Sequence, residues 1–93
     1  MVKLNVLDYA QIDEGSHSVQ AVRESVELAR HAEDLGYHRF WVAEHHDVPA
    51  FGSSSPELLM MHLADHTEHI RIGSGGVMLP HYSPYKVAEK YKL

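Results

Sequence analysis

Arg39-Phe40-Trp41-Val42-Ala43-Glu44-His45-His46 is the stretch on which the reading of this chain turns. From Arg39 to Ala43 it is compact and mostly apolar, the length of a buried strand, and it stops abruptly at a carboxylate and two imidazoles. Just upstream, Gly36 is placed to end a helix. Val22, Val26 and Ala29 recur there at helical spacing, with Leu28, Ala32 and Leu35 widening the stripe. Glu27, Arg30, Glu33 and Asp34 supply much of the polar remainder, and Ser18 is the expected N-cap. The pattern predicts an amphipathic helix of about five turns. Before it, Lys3–Asp8 alternates as a short strand, and Tyr9–His17 has loop chemistry.

Downstream, Pro49, Gly52 and Ser53-Ser54-Ser55 make a loop. Pro56 suits a first helical position, with Ser55 as N-cap and Glu57 favourable at the positive helix end. Leu58–His66 reads as the body of this second helix. Ile70-Arg71-Ile72-Gly73 starts a third strand that runs towards Pro80, and Pro84 opens a third helix over Tyr85–Leu93. The order β-α-β-α-β-α with short connections predicts parallel βαβ units, an α/β fold.

The 93 residues are 44% hydrophobic and 23% charged with a net charge of −5, an ordinary globular balance rather than a disordered one. Mild acidity argues against a nucleic-acid partner. No apolar run approaches the ~20 residues of a membrane span, and the N-terminus is too soon interrupted for a signal peptide. Cysteine is absent, which excludes disulfides and thiolate zinc sites and is consistent with the cytoplasm. Lys86, Lys90 and Lys92 read as a solvated helix face.

Chemistry in βα folds gathers at the C-terminal ends of strands. Three such ends are expected: Asp8 and Tyr9; Glu44, His45 and His46; Ser74, Gly75 and Gly76. Glycines inside strand-like sequence point to a bulge or a close backbone approach, either a simple turn or a platform for a flat ligand ring. Gly73-Ser74-Gly75-Gly76 is not a dinucleotide fingerprint, because Met78 stands where the last glycine belongs. The chain has nine histidines. His62 and His66 lie one helical turn apart, a spacing that can chelate metal, but Leu63 replaces the glutamate of the zincin motif. They read as polar-face residues, and His31, His38 and His69 as surface or helix-end residues.

Arg39–His46, then Ser55-Pro56-Glu57, then Ile70–Pro84 (Ile-Arg-Ile-Gly-Ser-Gly-Gly-Val-Met-Leu-Pro-His-Tyr-Ser-Pro), together resemble bacterial luciferase and its relatives. The resemblance is nearest to the luciferase-like FMN-dependent oxidoreductases and runs in order along essentially the whole chain. It implies a (β/α)8 barrel, of which the chain supplies the first three βα units. It implies monooxygenase activity with reduced FMN and molecular oxygen, or a deazaflavin in one branch, on a small organic substrate. By motif, His45 matches the active-site histidine after the second strand, with His46 supporting it. Gly75 and Gly76 match the third-strand bulge beneath the flavin, often with a non-proline cis peptide, and with Ser74 and Glu44 they are the cofactor-binding residues the resemblance implies. Glu44, between these groups, is expected to be a hydrogen-bond acceptor. The family's phosphate contacts come from later strands.

A (β/α)8 barrel takes about 250 residues, so residues 1–93 are expected to form an incomplete barrel domain: a fragment, a truncated reading frame, or a protomer that assembles with others. Phe40, Trp41, Val42, Ile70 and Ile72 are expected to be partly uncovered, favouring a homo-oligomer. The alternatives are a non-enzymatic interaction module and a histidine-based metal-binding module.

Overall fold

The computed structural model describes residues 1–93 throughout. Strand β1 (Asn5–Asp8), helix α1 (Ser18–Asp34), strand β2 (Arg39–Val42), helix α2 (Pro56–Asp65), strand β3 (Arg71–Ser74) and helix α3 (Pro84–Lys92) follow in that order. The strands form one parallel sheet in the order β1-β2-β3. Leu7 pairs with Trp41 and Trp41 with Gly73, which fixes the register of all three. The expected βαβ alternation is therefore present.

Side chains alternate across a strand, and here the alternation separates two surfaces. Phe40 and Val42 are fully buried and join Ala29, Ala32, Leu59, Leu63 and Ile70 in the core between sheet and helices. The expectation that Phe40, Val42 and Ile70 are partly uncovered is thus corrected: α1 and α2 close that face. Ile72 packs partly buried against the same core. Only the opposite face is open, with Leu7 exposed and Trp41 half-buried.

The helix that approaches the core does so through small residues. Ala21, Ser25, Ala29 and Ala32 are the buried positions of α1, whereas Leu28 and Leu35 are exposed, contrary to the expected stripe. Small side chains let the helix axis come closer to the sheet than leucines would. The N-cap of α1 is His17, not Ser18: its imidazole Nδ1 accepts from the Gln20 N–H at 3.3 Å. Gly36 ends the helix as expected, at φ +83°, a conformation that costs a residue with a Cβ.

Pro56 and Pro84 both occupy first-turn positions. Helix α2 stops at Asp65, so His69 lies in the following loop rather than at a helix end. That loop is held by Glu33, whose carboxylate accepts from the backbone N–H groups of Glu68, His69 and Ile70. These bonds, led by those from Ile70 and His69, hold its pKa below the usual glutamate value. Strand β3 ends sooner than its apolar sequence suggests: Leu79–His81 is a 3-10 turn. His38 is half-buried rather than a surface residue, and burial, helped by Lys3, Arg39 and Arg71, pushes its pKa down.

Candidate active site

All three strand ends with polar residues lie along one edge of the sheet, but they do different work. Asp8 turns towards α1: its carboxylate accepts from Ser25 Oγ and from the Ala10 N–H. It ties strand to helix and does not face the open end. Tyr9, the next residue, stacks on Phe51 of the β2–α2 loop with ring centroids 5.2 Å apart.

His45 completes that cluster. Its ring lies 5.2 Å from Tyr9 and 5.1 Å from Phe51. The β1–α1 and β2–α2 loops hold the cluster together through Ile12 N–H to Ala50 O and Gly52 N–H to Ala10 O, both 2.8 Å. Ser53 fixes the backbone beneath: its Oγ donates to Ala43 O, and its carbonyl accepts from the His45 N–H. Within this frame His45 Nδ1 is buried and has no hydrogen-bond partner. A buried nitrogen left unpaired is uncommon and calls for an explanation.

Glu44 is the opposite case. Its side chain is only 1% exposed, yet three donors reach it. Oε2 accepts from His46 Nε2 and from the Tyr82 hydroxyl, each at 2.6 Å. Oε1 accepts from the Met78 N–H at 3.3 Å. Burial alone would raise the Glu44 pKa, but the bonds from Tyr82, His46 and Met78 outweigh it and leave the carboxylate below its usual range. The same bond pushes the Tyr82 hydroxyl up to about 12. Glu44 is thus a buried carboxylate with three donors. His46, however, does not contact His45. It bonds Glu44 and meets the His81 ring edge-on at 5.1 Å, so the two neighbouring histidines belong to separate clusters.

The third strand end carries a cis peptide bond between Gly75 and Gly76. The Gly75 N–H donates to Val42 O at 2.7 Å, and Ser74 Oγ donates to Gly76 O. Both glycines are exposed, and a Cβ on Gly76 would meet nothing within 4 Å. The Tyr91 hydroxyl approaches Ser74 from α3 without a hydrogen-bond partner, and burial raises its pKa. Sequence reading missed Tyr82, Phe51 and Ser53. Tyr82 lies 38 positions from Glu44, and no local spacing joins them.

Elsewhere, the His62 and His66 rings stack at 4.5 Å, but no group of three or more histidine, cysteine or acidic side chains is placed to hold a metal. Lys90 is less solvated than expected, reaching Glu57 at 3.3 Å and lying 5.1 Å from the Tyr82 ring. No helix is long and apolar enough to cross a membrane.

The profile of the luciferase-like monooxygenases matches residues 2–92. The chain belongs to that family. Among its relatives, the uncharacterised protein YwcH of Bacillus subtilis is 55% identical over the whole chain, and N-acetyl-S-alkylcysteine monooxygenase of the same organism is 50% identical over the same span. The chain spans about 28% of the length of each. The crystal structure of apo-MsnO8 superposes with a TM-score of 0.94 at 48% identity, covering 98% of this chain and 28% of that one. The oxygenating constituent of 3,6-diketocamphane monooxygenase from Pseudomonas putida, solved with FMN, gives a TM-score of 0.88 over 97% of this chain and 25% of its own. At 22% identity it shows the fold alone: three parallel βα units that match part of a TIM barrel.

Proposed function

We propose that these residues form one wall of the active site of a flavin-dependent monooxygenase that uses reduced FMN and molecular oxygen on a small organic substrate. The observation that carries the proposal is His45 Nδ1, buried and unpaired at the C-terminal edge of the sheet. An imidazole nitrogen can donate or accept a hydrogen bond, so His45 can give or take a proton beside a bound reactant. Tyr9 and Phe51 limit its rotation and exclude water from one side.

The residues present fit one face of a flavin ring. Gly75 and Gly76 expose bare backbone with room above Gly76, and the open apolar face of Leu7 and Trp41 adjoins them. Ser74 holds the glycine turn, and Glu44 supports it from the buried side through Met78. The residues do not form a phosphate site: Arg39 and Arg71 begin their strands at the far end, and Lys90 is paired with Glu57. Reduced FMN, when bound, supplies the electrons that activate oxygen. His45 would serve proton transfer, and the exposed backbone of Gly75 and Gly76 would support the ring.

The test is His45→Ala in the protein that carries this chain, assayed with reduced FMN on a panel that starts with N-acetyl-S-alkylcysteines, the substrate class in a relative's name. General acid–base catalysis contributes ~10²–10⁴-fold, so turnover should fall by that order with flavin affinity largely kept. Unchanged turnover removes His45 from the chemistry.

We also propose a cytoplasmic homo-oligomer. Leu28 of α1 and Leu58 and Met61 of α2, all exposed, support association. Light scattering that shows a monomer at micromolar concentration would remove it.

A further inference from the structure

We infer that Tyr82 is a positioning residue, acting through the buried Glu44 carboxylate on His46; that it serves an active site rests on the function proposed above. Two donors from different parts of the chain share one oxygen. His46 Nε2 and the Tyr82 hydroxyl each stand 2.6 Å from Glu44 Oε2. Met78 and Tyr82, which both donate to Glu44, bracket the Leu79–His81 turn. The turn is therefore pinned at both ends to a residue that directly follows β2 and Ala43. His81, inside it, packs edge-on against His46 at 5.1 Å.

A carboxylate with 1% of its side chain exposed cannot replace a lost donor with bulk water. Without the Tyr82 hydroxyl, Oε2 is left to His46 alone. The His46–Glu44 bond then strengthens, and the turn keeps only the long 3.3 Å bond from Met78. Tyr82 thus sets both how tightly His46 is held and where His81 stands against it. The Tyr82 ring has its own support from Lys90, 5.1 Å from its centroid, which in turn pairs with Glu57. Removing the hydroxyl alone leaves that contact in place.

The experiment uses the protein that carries this chain, with Tyr82→Phe, Glu44→Gln and the double variant. Two signals are read: the His46 imidazole Nε2–H resonance by 15N NMR, and steady-state turnover with reduced FMN. Tyr82→Phe should move the His46 resonance and lower kcat about tenfold, with KM for flavin changed less than about threefold, because a charge-assisted hydrogen bond is lost. Glu44→Gln keeps the volume and should move the same resonance. On that background Tyr82→Phe should add little, since the route from Tyr82 to His46 is already cut. A purely structural tyrosine would change stability and leave the resonance and kcat where they are, which overturns the proposal. Equal, additive losses in the double variant overturn it too. If the parent protein shows no flavin-dependent turnover, the proposed function falls on that result. The His46 resonance still decides Tyr82: a shift in Tyr82→Phe supports the coupling and an unmoved signal refutes it.

Discussion

Gly73 sits directly under the Trp41 indole, and the sheet leaves no room there for a methyl group. A Cβ at Gly73 would lie 2.7 Å from Trp41 Cζ3 and 2.9 Å from Cε3. Ordinary carbon contacts are ~3.5–4.0 Å, so Gly73→Ala demands a relative displacement of about 1 Å. Neither partner moves freely. Gly73 is paired in register with Trp41 across β2 and β3, and the indole is overlaid by the Arg39 guanidinium, 5.0 Å from the ring centroid. Overpacking of this kind costs about 1–3 kcal/mol. A loss of ~2 kcal/mol should lower the urea midpoint of the protein that carries this chain without changing the slope. Thermal and urea unfolding of Gly73→Ala, Trp41→Ala and the pair form the assay. With Trp41 truncated, the clash disappears, and alanine should even help the strand by about 0.5–1 kcal/mol. Gly73→Ala within about 0.5 kcal/mol of the parent, or an equal cost in both backgrounds, would refute the packing argument.

Ser53→Ala leaves the Ala43 carbonyl without its buried donor and should cost about 1–3 kcal/mol in urea unfolding. Leu63→Ala, at a fully buried position of α2, should cost about 2–5 kcal/mol by the same measurement. Glu33 is held below its usual pKa of 4.5 by backbone donors, first those of Ile70 and His69. A depressed folded pKa means its stabilisation is complete above that usual value and is lost as pH falls through the lower folded one. Glu44 shifts in the same direction, so the acid limb is shared. Glu33→Gln should reduce, without abolishing, the drop in Tm as pH falls below about 4.5.

The element order was legible because each segment carries its own period and its own punctuation. Gly36, Pro56 and Pro84 mark helix ends by backbone chemistry that needs no tertiary context. The face of α1 was not legible from leucines. Ala21 and Ser25 are buried while Leu28 and Leu35 are exposed, because close approach to the sheet selects for small side chains over large apolar ones. His17 was missed as a cap because serine is the commoner choice and Ser18 stands beside it. His45 and the glycine pair stand just past the ends of β2 and β3, where the order of elements in the sequence puts them. The partners of Glu44 were not legible in that way, since Met78 and Tyr82 arrive from 34 and 38 positions away.

Why His45 and His46 part company follows from the strand that precedes them. Side chains alternate with a period of two. Phe40 and Val42 take the helix side and are fully buried, whereas Trp41 takes the open face. Glu44 inherits the parity of Phe40 and Val42 and is buried at 6%. His45 inherits that of Trp41, and so does its neighbour Tyr9, which continues the parity of Leu7 on the adjacent strand. The sequence Glu-His-His therefore presents one imidazole to the open face and keeps a carboxylate beneath, with the second imidazole bonded to that carboxylate. A shift of one residue would exchange these roles, burying the imidazole and exposing the acid. The chemistry assigned to His45 thus depends on the register Leu7–Trp41–Gly73 as much as on the residue itself, and in that register only a glycine at position 73 leaves the Trp41 indole its room.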